Sequence, residues 1–191
     1  MKKSLLLFAS GMLVVSAYAQ TPIKENVPFV GKITANWCPP CGGWGFKLYD
    51  DILVQHGDHA TGLSMYSSTR TDNNNQKFQN QAAYDLAAQI TLTGYPSFSV
   101  NLVDLSAQNQ VGSGIDTHGI HVDVDSFYAA FMAQPVAASV GMTYRINGNT
   151  VEVKTKTKFW EAANGTYKVA VYLVEDGATA GQVTPSGTVT K

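Results

Sequence analysis

The sequence predicts an α/β protein: a central mixed sheet flanked by helices, followed by a small antiparallel β unit. Three observations predict it. From Pro28 to Gln134, strand-like and helix-like spacings alternate in the order strand, helix, strand, helix, strand, helix, the pattern of helices layered on a sheet. After Gln134 the helical spacing gives way to two-residue alternation broken by Asn-Gly turns. The chain has only two cysteines, and both fall in Trp37-Cys38-Pro39-Pro40-Cys41, where the first strand meets the first helix.

Taken in order, the N-terminus reads as an export leader over residues 1–19. Lys2 and Lys3 open it, Leu5 to Val15 is apolar apart from Ser10 and Gly11, and Ala17-Tyr18-Ala19 is a small-x-small cleavage signature. The apolar run is too short to cross a bilayer, and nothing downstream resembles a transmembrane helix. Cleavage after Ala19 is expected, and the residue directly after it is Gln20, not a cysteine that could carry a lipid anchor. The mature chain is therefore expected to be exported, either soluble or peripherally attached. With a net charge of −1 and charged residues at 14%, nothing suggests an electrostatic nucleic-acid footprint.

Pro28 to Ala35 is the first expected strand. Trp44, Leu48, Tyr49, Ile52 and Leu53 then recur at helical spacing, and Gly57 ends that helix. Thr61 to Tyr66 is a second strand, Ser67 to Gln76 an exposed loop, and Lys77 to Ile90 an amphipathic helix with Phe78, Ala82, Leu86 and Ile90 on one face. Thr93-Gly94-Tyr95-Pro96 turns into a strand at Ser97 to Leu102. Residues 103–122 have room for a hairpin and a loop, and Asp125 is expected to cap a short helix that Pro135 ends. Beyond it, Val136 to Tyr144, Val151 to Phe159 and Tyr167 to Val174 read as three strands, with Lys154, Lys156 and Lys158 as a solvated stripe that discourages edge pairing. Gly177 to Lys191 reads as an unfinished sandwich or a frayed end. The expected divisions are 1–19, 20–134 and 135–191.

The cysteine pair carries the chemistry. A bridge between residues three apart closes so small a loop that it adds at most about 2 kcal/mol to stability. Two cysteines are also too few for a disulfide framework, and an oxidising compartment permits disulfide exchange. At a helix N-terminus, Cys38 would face free backbone N–H groups that favour its thiolate, and Cys41 lies one turn on, in reach to resolve a mixed disulfide. Proline is tolerated in a first helical turn, so Pro39-Pro40 stiffens the motif without loss of hydrogen bonds. Two other uses stay open on the residues alone. One is a structural clip. The other is a zinc site with histidines from His56-Gly57-Asp58-His59 or His118-Gly119-Ile120-His121, although their spacing is shorter than zinc sites commonly use. Trp37 is the better candidate for an exposed docking surface, and Trp44 for core.

A strand running into Trp-Cys-Pro-Pro-Cys and a helix, with Gly94-Tyr95-Pro96-Ser97 before a later strand, resembles the thioredoxin superfamily over roughly residues 28–134. The motif is similar to that of the envelope branch of TlpA-like and ResA-like thiol–disulfide oxidoreductases. The resemblance implies Cys38 as attacking thiol, Cys41 as resolving thiol, a cis Pro96 against the disulfide, and a Tyr95 backbone that binds peptide beside Trp37. It implies protein thiols and disulfides of the cell envelope as partners, and no cofactor or metal. With the downstream β unit and Leu173-Val174-Glu175-Asp176-Gly177, the whole chain resembles a Bacteroidota outer-membrane-associated family that joins a thioredoxin-like domain to a C-terminal β-sandwich. Members are longer, so the last sandwich strands would be missing here. The expected location is the periplasm or the outer membrane. The pattern departs at Lys32, where thioredoxins place a buried acid six residues before the first cysteine, and at Gly42, Gly43 and Gly45, which loosen the first helical turn. Lys32 would either lower the cysteine pKa or extend to solvent along a packed stem. That departure favours a rival reading, a binding or structural module on the same scaffold.

Overall fold

The computed structural model describes residues 20–67, 78, 80–92, 94–105 and 118–190. The expected leader lies outside them, as does nearly all of the expected loop after Ser67. By contacts the described residues form two units, one within 26–135 and 165–190, the other within 20–25 and 136–164.

In the first unit, β1 (Phe29–Thr34), β2 (Thr61–Tyr66), β3 (Ser97–Val100) and β4 (Val103–Asp104) form one mixed sheet in the order β2-β1-β3-β4. β1 and β2 run parallel, from Phe29 opposite Thr61 to Thr34 opposite Tyr66. A parallel pair needs a long crossover, and the segment holding α1 (Phe46–His56) supplies it. β3 is antiparallel to β1 and to β4. Alternation along β1 sends Val30 to one face and Ile33 to the other. Val30, Phe98 and Val100 pack with Leu48, Tyr49 and Ile52 of α1 and with Ile120 and Val124 of α3 (His118–Met132). Ile33 and Met65 pack with Leu86 and Ala87 of α2 (Gln81–Ala87) and with Ile90. The sheet is therefore covered on both faces, which is why even Ser97 and Ser99 of β3 are buried.

Helix boundaries follow local chemistry. Asn80 caps α2, its side chain accepting from the Ala83 N–H at 2.8 Å. The expected helix from Lys77 is thus a shorter one, because this cap fixes its start. Asp125 does not cap a helix: it lies inside α3, and its carboxylate accepts from Gln55 at 3.0 Å and lies 2.8 Å from His56 Nε2.

In the second unit, β5 (Ala138–Asn147) and β6 (Thr150–Phe159) form a continuous antiparallel ladder closed by a two-residue loop with Gly148 at φ +57°. Positive φ in such a loop matches the twist of the strands, and glycine adopts it without strain. The Trp160 indole N–H donates to Ser139 Oγ at 2.8 Å, and Lys158 Nζ sits 3.7 Å from the centre of the Trp160 ring. The expected third strand, Tyr167 to Val174, is not a strand: no ladder partner is present among the described residues, and its side chains are exposed. β-Prone residues make a strand only when neighbouring backbone completes the hydrogen bonds. The tail is not frayed either. Gly181–Thr184 and Gly187–Thr190 form a hairpin, β7 and β8, that belongs to the cysteine-bearing unit.

Candidate functional site

β1 delivers Ala35, Asn36 and Trp37 to the cysteine turn, where the Cys38 N–H donates to the Ala35 carbonyl at 3.2 Å. Pro39 and Pro40 begin the helix, and Cys41–Gly45 widens into a π-helical turn before α1. The Gly42 N–H donates to the Cys38 carbonyl at 3.3 Å. Cys38 and Cys41 form a disulfide, with Cα atoms 5.2 Å apart. The Cys41 N–H donates to Cys38 Sγ at 3.1 Å, so an amide of the helix start already faces the sulfur that would carry thiolate charge. Cys38 is 2% exposed and Cys41 0%.

The other expected site residues gather around this pair. The Tyr95–Pro96 bond is cis. The Tyr95 carbonyl lies 3.5 Å from Cys38 Sγ, and its phenol 3.5 Å from Ser67 Oγ. Trp37 is half-buried, not a freely exposed surface, because its ring meets Tyr95 edge-on at 5.8 Å. Pro96 presses on the π turn: a Cβ on Gly45 would lie 2.7 Å from Pro96 Cγ. That glycine permits a close approach; it does not merely loosen the turn. Trp44 stacks on Phe98 with ring centres 6.1 Å apart and joins the core, as its helical position predicts.

Sequence reasoning missed Asn36 and Gln182. The Val183 N–H donates to the Asn36 carbonyl at 2.7 Å, and Asn36 Nδ2 donates to the Gly181 carbonyl at 3.1 Å. Gln182 is 0% exposed, and its Nε2 lies 3.2, 3.0 and 3.2 Å from the carbonyls of Ala35, Asn36 and Cys38. The hairpin reaches these atoms across Gly42 and Gly43. A Cβ on Gly42 would overlap the Val183 carbonyl, and one on Gly43 would lie 3.2 Å from Pro185 Cδ. Paired glycines just after the second cysteine were the available signal, since glycine in a helix start marks a close neighbour as readily as looseness.

Lys32 does not extend to solvent. It is 1% exposed, with Nζ 3.6 Å from the Phe46 ring centre and 4.7 Å from that of Tyr49. The ring faces attract the ammonium, and the apolar surroundings make that attraction stronger than in water. Burial pushes the Tyr49 phenol up to about 12. A cavity of about 520 Å³ lies here, lined by Lys32, Phe46, Tyr49, Ser64 and Tyr66 among others and by neither cysteine. The histidines do not join the sulfurs. No group of three or more potential metal ligands is present among the described residues. His56 is engaged by Asp125 and stacks on Tyr128 at 4.7 Å.

The fold and site define a mixed α/β protein with a close Cys-x-x-Cys disulfide, an arrangement compatible with redox activity. Comparison with protein families, curated proteins and solved structures finds no match for this chain. No helix among the described residues is long and apolar enough to cross a membrane.

Proposed function

We propose that this chain is an exported thiol–disulfide oxidoreductase of the thioredoxin-like class, acting on protein thiols and disulfides in the cell envelope, in the periplasm or at the outer membrane. One observation carries the reading: the Cys38–Cys41 disulfide opens a helix with the Cys41 N–H on Cys38 Sγ and the cis Pro96 segment alongside. The sheet order β2-β1-β3-β4, with a parallel first pair and two antiparallel neighbours, supports the thioredoxin-like class.

From the disulfide state, a partner thiolate attacks Cys38 Sγ. The Cys38–Cys41 bond breaks, a Cys38–partner bond forms, and Cys41 leaves as thiolate and takes a proton. A second partner thiolate then attacks its own bridged sulfur and releases Cys38. Two electrons pass to this chain, and the partner dithiol becomes a disulfide. The reverse sequence oxidises the pair and reduces the partner. Cys41→Ser stops the resolving step, so the variant accumulates Cys38-linked partner proteins, visible as bands that disappear on reduction. Absence of such bands, where a thioredoxin control with the same change gives them, rejects the reading. The burial of Cys38 favours a second one, a structural clip on a binding scaffold, in which Cys38→Ser leaves partner binding intact.

A further inference from the structure

We propose that Gln182, carried by the C-terminal hairpin, is a positioning residue for disulfide exchange at Cys38. This rests on the redox reading above. Its Nε2 carries two N–H donors and faces four carbonyls, those of Ala35, Asn36 and Cys38 and, at 3.0 Å, that of Val183. The three in the cysteine turn do not need it for satisfaction. Ala35 O accepts from the Cys38 N–H, Asn36 O from the Val183 N–H, and Cys38 O from the Gly42 N–H. What Gln182 adds is a shared donor between them: the two N–H groups of one planar amide sit among the carbonyl before the turn, the next one, and that of the reactive cysteine. Its orientation is fixed, because rotating the amide would set Oε1 against carbonyl oxygens that donate nothing.

The consequence falls on the opposite side of the same turn. With the Cys38 carbonyl held toward the hairpin, the Cys41 N–H stays aimed at Cys38 Sγ. A hydrogen bond to a charged acceptor is among the stronger ones, so keeping this donor in line stabilises the Cys38 thiolate in attack and as a leaving group. Without Gln182 each carbonyl keeps its own backbone partner but loses the side-chain donor it shares with the others, and the alignment of the Cys41 N–H loosens. Gly42 and Gly43 belong to the same device, since side chains there would hold the hairpin off.

The test uses the full chain with Cys41→Ser, which leaves Cys38 as the single thiol, and follows its alkylation by iodoacetamide across pH. Gln182→Met keeps the bulk of the side chain and removes the donor. The midpoint of its profile should move to higher pH, with alkylation at pH 7 slowed about tenfold. Gly42→Ala, which displaces the hairpin while retaining Gln182, should shift the profile the same way, and it decides the matter if Gln182→Met fails to fold. Two folded variants with the parent's profile overturn the assignment and leave the redox reading standing. A parent in which Cys38 reacts only after the chain is unfolded overturns both.

Discussion

Strand β3 and strand β6 are written in similar alternation and end in opposite surroundings. Ser97-Phe98-Ser99-Val100 is buried at every position, whereas in Val151-Glu152-Val153-Lys154 only Val153 is partly shielded. The difference lies in the neighbours. β3 runs between β1 and β4, with α1 and α3 packed on Phe98 and Val100, while among the described residues β6 pairs with β5 alone. Alternation in a sequence specifies which side chains share a face. It does not specify whether that face will be covered.

The largest way to break this contrast is at Phe98, which is 0% exposed and stacked on Trp44. Phe98→Ala should lower unfolding free energy by about 3–5 kcal/mol, read by denaturant titration. A loss below about 1 kcal/mol would mean that the helices do not depend on this face. The next effect is alkaline. The Tyr49 phenol is pushed up to about 12, chiefly by burial, so folding favours its protonated form. That contribution is complete below the ordinary value of 10, is lost as pH rises through about 12, and amounts to about 3 kcal/mol at most. Tyr49→Phe should flatten the stability curve over that window, and an unchanged curve would contradict the burial. The smallest effect is acidic and belongs to the exposed hairpin. Hydrogen bonding and charge from Arg145, 2.6 Å away, hold the Glu152 carboxyl below its ordinary 4.5. Its contribution is present above pH 4.5 and fades as pH falls through the lower folded-state value. Arg145→Gln should return the Glu152 titration, followed by NMR, toward 4.5.

Much of the cysteine-bearing sheet is legible because its signals are local. Strand β2 matches the Thr61 to Tyr66 run, and α1 follows the Leu48, Tyr49 and Ile52 spacing. The segment around Cys38, Cys41, Tyr95 and Pro96 is legible from motif residues that each sit at a turn or helix start. Failures occur where the outcome depends on a distant partner. Tyr167 to Val174 has strand-forming residues and no ladder among the described residues. Gly181–Thr184 pairs only a few residues on, with Thr188 and Val189 opposite, but its glycine and glutamine carry no strand signal, and its place beside the cysteine turn depends on the distant Asn36. Lys32 reads from the sequence as an exposed or field-setting charge, since nothing in a linear sequence reveals that two aromatic rings of α1 enclose it. Gln182 was invisible for the same reason.

The hydrogen bonds from Gln182 to the cysteine turn span 144 to 147 residues of sequence. The cysteine turn and its brace therefore lie far apart in the sequence. A chain shortened before Gly181 keeps Cys38, Cys41, Tyr95 and Pro96 yet loses every hydrogen bond that the hairpin makes to the turn.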